Sequence, residues 1–327
     1  FRMMLRTDLE KWIKDNYNNL IGSTIFTKNN SLTSKIVSWA QKMRDKTKKG
    51  TLLWVLDKTS TSMGGRHLRR WLNDPLIDVC EINNRLEAVE ELRNNLILRG
   101  DIIEYLKRVY DIERLVGKIS YGNANGRDLI SLKNSVKQLP GIKNVLQNSS
   151  SKLLNYIFTN LDTLDDIYEL IEKSIVEEPP ITVKEGGLIK LGYDPEIDAL
   201  KTATTEGKNW IIQLEIDERE KTGIKNLKVG FNKVFGYFLE VTKSYLSQVP
   251  ERYIRKQTLA NCERYITEEL KNLENQILGA EEKVINLEYE AFTSIRKEIE
   301  NNILRIQKTA EVISTLDVLC SFATVAE

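Results

Sequence analysis

Two stripes of apolar and small residues bracket a segment that cannot be helical, and this limits what the chain can become. From Pro195 onward, Ile197, Leu200, Thr204, Gly207, Ile211 and Leu214 recur at steps of three and four; farther on, Leu270, Leu273, Ile277, Ala280, Val284, Leu287 and Ala291 do the same. Such spacing gathers each set on one helix face, the pattern of a coiled-coil seam. Between them, "KTGIKNLKVGFNKVFGYFLEVTKSYL" (residues 221–246) is rich in Val, Phe and Tyr and broken by Gly and Asn. Two helices joined through 223–262 pair only if they run antiparallel, with this β-like island at their far end. A helix of about 27 residues reaches about 40 Å.

Inside the island, "LKVGFNKVFGYFLEV" predicts a hairpin, with Asn232 and Lys233 in a positive-φ turn flanked by Gly230 and Gly236. "RYIRKQTLANCERYIT" predicts a second strand pair, turning near 259–261. Four short strands are enough for a small sheet. Phe231, Phe235, Tyr237, Phe238, Tyr245 and Tyr253 are enough to pack it, but a one-residue change of register would exchange their faces.

The rest reads as helix. Residues 51–178 predict an all-α array: one turn at Leu52, Leu53, Val55 and Leu56, a cap from "DKTSTS", then Leu68, Trp71 and Leu72 on one face, with Pro75 ending that helix. Gly100 is expected to break the helical run that follows. Pro179 and Pro180 stop helix, and "ITVKEGGLIKLGY" predicts a strand pair turning at Gly186 and Gly187. Asp194 caps a new helix whose first residue is Pro195. Residues 1–50 hold one amphipathic stretch, "DLEKWIKDNYNNLI", and no compact fold of their own is expected there.

A net charge of +1 conceals an asymmetry: residues 1–50 carry +7 and residues 221–256 carry +6, on an acidic background. Lys225, Lys228, Lys233, Lys243, Arg252, Arg255 and Lys256 fall on a thin sheet that cannot bury them, with only Glu240 and Glu251 as local acids. That density of cation suits phosphate contact, which carries no base identity and weakens with salt.

Other classes fit less well. The single histidine, His67 in "GGRHLRRWL", reads as structural, and no nucleophile set, metal-ligand cluster or Gly-rich phosphate loop accompanies it. No catalysis, cofactor or metal is expected of this chain. Cys80, Cys262 and Cys320 are far apart and read as ordinary buried thiols of a reducing compartment. No apolar run approaches a membrane span and no signal-peptide pattern opens the chain. The alternative to a polyanion binder is a helical scaffold whose coiled-coil arms bind a protein partner.

"GTLLWVLDKTSTSMGGRHLRRWLNDPL" and the long string from "EKTGIKNLKVGFNKVFGYFLEVTK" through "VPERYIRKQTLANCERYITEELKNLENQILGAEEK" resemble the lever and clamp regions of the bacterial MutS family, the DNA mismatch-recognition ATPases. "EVISTLDVLCSFATVAE" resembles the segment leading into that family's ATPase domain. The resemblance covers about residues 43–327. It implies a mainly α fold: a long-helix lever bundle over 47–192 and 285–327, and a clamp over 193–284. The clamp would consist of antiparallel coiled-coil arms with a small antiparallel β sheet inserted at about 223–262. It implies a clamp contacting double-stranded DNA through backbone phosphates, with Asn232 joining the seven basic residues above, and a tip at the hairpin around Asn232 and Lys233 and the strand 253–258. It further implies a homodimer that encircles DNA, levers that link DNA engagement to nucleotide state, a repair partner of the MutL family, and a bacterial cytoplasmic setting at the nucleoid. The family's Phe-x-Glu reading wedge is missing; "FLE" at 238–240 lies inside the clamp hairpin. No G-x-x-x-x-G-K-[ST] is present, so the ATP and Mg of the full-length family have no site in this sequence. Residues 1–42 do not match the family pattern, which leaves 1–46 as a connector remnant or sequence extraneous to the family. The chain is therefore expected to be a fragment.

Overall fold

A computed structural model of the chain describes residues 51–327, so the stretch 1–46 and its expected amphipathic helix lie outside the described residues. The architecture is mainly α with one small sheet. Two compact units emerge, one from 51–124, 128–172 and 296–327, the other from 125–127 and 173–295.

The first unit contains α1 (Leu52–Leu56), α2 (Ser62–Asn73), α3 (Val79–Asn94), α4 (Leu96–Leu106), α5 (Ile112–Ser120), most of α6 (Gly126–Val136), α7 (Leu139–Leu146), α8 (Lys152–Asn160), most of α9 (Asp165–Ser174) and α12 (Ile303–Val325). α12 is buried at nearly every position from Val312 to Ala323, while Arg305, Gln307, Lys308 and Glu311 leave one side of its first turns exposed. It packs against α2, α3, α4, α5 and α8. Its polar residues tie down the segment before α2. The Asp317 carboxylate accepts from Ser60 N and Thr61 N at 2.8 Å and from the Thr61 hydroxyl at 2.7 Å. Burial pushes the Asp317 carboxyl up, and these bonds pull against it. Thr61 caps α2 by accepting from Gly64 N. A Cβ on Gly64 would lie 2.1 Å from Asp317 Oδ2, so no larger residue fits there.

One expectation fails in this unit and another across both. Gly100 lies inside α4; the break comes at Asn95, which ends α3 and caps α4 through its side chain, accepting from Leu98 N. A single helical Gly weakens a helix but need not end it. Cys80 is exposed and Cys262 half-buried, so only Cys320 is a buried thiol.

His67 is buried against the Trp71 ring, 5.2 Å between centroids, with Nε2 3.3 Å from the Thr315 hydroxyl. Burial, then the Arg70 charge, pushes its pKa down to about 4.

In the second unit, α10 (Pro195–Thr222) begins as expected, with Asp194 accepting from Glu196 N and Ile197 N and proline in the first turn. α11 (Glu268–Asn301) is the returning arm. The two run antiparallel: Lys201 pairs with Glu288 at 2.6 Å and Lys208 with Glu281 at 2.8 Å, so numbers rise on one arm as they fall on the other. Gly207 is the closest packing point, where a Cβ would sit 2.6 Å from Ile277 Cγ1. All the expected seam positions are buried or half-buried, but the face drifts. Leu287 and Ala291 are half-buried, and burial passes to Glu288, Phe292, Ile295 and Ile299. A 3.6-residue helix slips against a 3.5-residue repeat in this way.

Residues 181–193 form no strand pair. Gly186, Gly187 and Gly192 take positive φ as turn glycines, but only Ile189 bridges, to Ile175. The loop is held instead by Glu288, which is 0% exposed and accepts from Leu188 N and Ile189 N at 3.2 and 3.4 Å.

The island forms one antiparallel sheet from β1 (Lys228–Asn232), β2 (Gly236–Thr242), β3 (Ile254–Thr258) and β4 (Cys262–Ile266), in the order β1-β2-β4-β3. A 3-10 helix, Lys243–Gln248, joins the two hairpins.

Replacing Ile277 by Ala should destabilise the arms by about 2–4 kcal/mol, lost transfer energy plus a cavity, whereas Leu287→Ala should cost about 1 kcal/mol. Urea unfolding monitored by circular dichroism checks the order; equal small effects would mean the arms are not packed as described. His67 generates a pH test. The unfolded imidazole binds a proton near pH 6.5 and the folded one only near 4, so the unfolded state holds more protons in that window. Stability should be complete above about pH 6.5 and fall as pH drops toward 4. His67→Gln should flatten the difference between pH 7 and pH 5; a parent as stable at pH 5 as at pH 7 would contradict the burial.

Candidate nucleic-acid interface

The register assigns the faces that the sequence left open. Val229 opposes Leu239, Phe231 opposes Tyr237, and Leu239 opposes Tyr265. Val229, Tyr237, Leu239, Val241 and Tyr265 join Ile211, Leu214, Leu270 and Ile277 in one apolar cluster, so this face of the sheet packs on the arms. On the other face the Phe238 ring crosses Gly230, where a Cβ would lie 2.6 Å from the ring. The Arg264 guanidinium covers that ring at 4.1 Å and bonds Glu240 at 3.0 Å. Phe238 is thereby buried on the outer face of a sheet only four strands wide.

The first hairpin turns differently from the expectation. Asn232 pairs with Gly236, leaving a three-residue loop at 233–235. Asn232 and Lys233 keep negative φ; Gly236 takes the positive value, +78°. The Asn232 side chain accepts from Val234 N at 2.8 Å and so acts as the turn's cap. A three-residue loop followed by left-handed glycine is a standard hairpin solution. A Cβ on Gly236 would lie 1.8 Å from Glu274 Oε1, and the charge of Lys208 acts on Tyr237. The loop therefore lies back along the arms, about 20 Å short of the end of α10.

The eight expected contact residues separate into groups. Lys225, Lys228 and Lys243 share the sheet end opposite the 233–235 loop: the Asn226 amide donates to the Thr242 hydroxyl, and Lys243 N donates to Asn261 O at 3.1 Å. All three are exposed. Lys233 is exposed on the loop beside Asn232. Arg255 and Lys256 lie on the edge strand β3, Lys256 within the irregularity where pairing shifts between Arg255 and Gln257. Arg252 precedes that strand and pairs with Glu218. Among the described residues, the five lysines make no ion pair.

Sequence reasoning missed the acids that fold places nearby. Glu218, at the next seam step after Leu214, is 2% exposed. It meets Arg252 Nη2 at 2.5 Å and the Tyr253 hydroxyl, which donates at 2.6 Å. Glu263 is buried and accepts from the Tyr265 hydroxyl at 2.6 Å. Burial, then the glutamate bond, pushes Tyr265 up to about 12 and Tyr253 higher still. Extending the step pattern of α10 by four would have found Glu218; nothing local signals Glu263. Arg264 was also passed over, although its alternation with Glu263 and Tyr265 marks it as outward. No group of three or more His, Cys, Asp or Glu among the described residues is arranged to hold a metal, and none of their helices is long and apolar enough to cross a membrane.

Comparison with known proteins bears on the same residues. A family model described as MutS domain III matches residues 32–323. Proteins named DNA mismatch repair protein MutS are similar over most of the chain: that of Ruminiclostridium cellulolyticum is 59% identical over 285 residues, covering 87% of this chain and 33% of that protein. That of Caldanaerobacter subterraneus subsp. tengcongensis is 60% identical over 284 residues, again 87% and 33%. That of Acetivibrio thermocellus is 54% identical over 295 residues, 90% and 34%. The chain thus spans about a third of the length of the curated relatives it matches. Domain III is a non-catalytic lever domain, and the family's ATPase domain is a separate region outside the match. A match over nearly the whole chain, with the paired arms and inserted sheet, means that this chain belongs to the MutS family and carries its domain III.

Proposed function

We propose that the chain is the lever and clamp of a mismatch-repair protein, and that its sheet contacts the backbone of double-stranded DNA without reading sequence. The lever corresponds to 47–192 and 285–327 and the clamp to 193–284. The observation that carries this reading is the group of exposed lysines, without ion pairs among the described residues, on and around a sheet one face of which is committed to the arms. Lysine in this setting is a hydrated point charge, suited to phosphate. In the complete protein the chain would act within a homodimer around DNA, pass DNA and nucleotide state along its long helices, and work with a MutL-family partner in the cytoplasm at the nucleoid. ATP and Mg would belong to the ATPase region, with no site in this chain. The rival scaffold reading loses its basis, because the seam a partner helix would use is filled by the arms themselves.

Fluorescence anisotropy with duplex DNA, at about 50 mM salt and upward, tests the reading. Changing Lys225, Lys228 and Lys243 to Gln should weaken binding on every duplex alike and reduce the slope of log K against log salt by about 2.7, about 0.9 for each phosphate contact. Homoduplex and single-mismatch duplex should bind equally. Unaltered affinity in the triple variant would remove the sheet from the interface, and a tenfold preference for the mismatch would mean the chain reads bases.

A further inference from the structure

Two of the cations expected to meet phosphate have a different tie. Glu218 and Glu263 are 2% and 8% exposed, and each accepts a tyrosine hydroxyl at 2.6 Å. The two tyrosines, Tyr253 and Tyr265, pack with ring centroids 5.8 Å apart, so the carboxylates flank one aromatic pair. A tyrosine hydroxyl leaves a carboxylate's charge uncompensated. The compensating charges come from outside: Arg252 Nη2 lies 2.5 Å from Glu218, with Lys221 Nζ at 4.0 Å, and Arg255 Nη1 lies 3.6 Å from Glu263. The arginines are 49% and 63% exposed, lying over the buried acids like lids. A buried carboxylate stripped of its counter-ion is strongly destabilising, whereas a surface cation stripped of a solvent contact is not.

We propose that Arg252 and Arg255 are positioning residues rather than phosphate contacts. They are the counter-ions that hold the segment entering β3 against the end of α10 and the sheet against its own buried acids, and phosphate contact falls to the lysines. The part concerning phosphate rests on the DNA-binding reading; the part concerning the acids does not.

The test is a double-mutant cycle on the full 327-residue chain, with a salt series beside it. Arg252→Met, which keeps most of the apolar stem, should lower the melting temperature by about 5 °C or more. Glu218→Gln keeps the shape and the tyrosine contact while removing the charge, and in the double variant it should recover most of that loss. Arg255→Met with Glu263→Gln should behave alike but more weakly, because its pair is longer. The salt slope for duplex binding should be the same in Arg252→Met as in the parent. Losses that simply add in the Glu218–Arg252 cycle would overturn the counter-ion role. A stable Arg252→Met whose slope falls by about 0.9 would make Arg252 a phosphate contact instead. If the parent binds no duplex at all, the interface reading fails on its own, while the cycle still decides what the arginines do.

Discussion

The close antiparallel approach of α10 and α11 is the constraint on which the sheet and its charges depend. Where Gly207 meets Ile277 there is no room for a side chain on one arm, so the backbones come near enough for flanking ion pairs and apolar contacts to form together. Once the arms are in register, both ends of the inserted segment are fixed and its apolar face has only the arms to pack on. The sheet does not fold as an independent body, since its core includes Ile211, Leu214, Leu270 and Ile277.

The seam also carries a buried charge in two places. Four residues beyond Leu214 comes Glu218, and four beyond Val284 comes Glu288; both are buried, and both have a basic partner and further hydrogen bonds. Apolar seams tolerate sliding by a turn, because one aliphatic contact resembles the next. A buried carboxylate does not tolerate it, because sliding separates the charge from its partner in a low-dielectric place. Glu288 also holds the loop carrying Leu188 and Ile189, so the same residue that marks the register of the arms anchors that loop.

The parts legible in the sequence were those written in local periodicity: the seam stripes, the Asp194 cap with Pro195, the Thr61 region before α2, and a β island between two helices. The parts that were not legible depend on partners distant in the chain or on a choice between two equivalent registers. Alternation along a strand says that faces differ but not which is inner; that was fixed only by contact with the arms. The first hairpin was misread because Asn232 supplies a side-chain cap rather than a left-handed backbone, leaving positive φ to Gly236. The arginines looked unpaired because their acids lie elsewhere: Arg252 meets a glutamate 34 positions earlier. Gly100 illustrates the opposite error, a residue granted more influence than its modest helix penalty supports.

The burial of His67 has a consequence for the chain as a charged object. It is the only imidazole, and with its proton affinity pushed down to about 4 it stays neutral throughout the physiological range. Imidazole is the side chain whose ordinary affinity falls in that range. From about pH 5.5 to pH 8 the imidazole therefore adds no charge to the chain, and the field around its lysines owes nothing to histidine. A polyanion approaching that surface would meet no added attraction from a histidine in mildly acidic solution. Ionic strength, through screening and counterion release, is then the variable that tunes it.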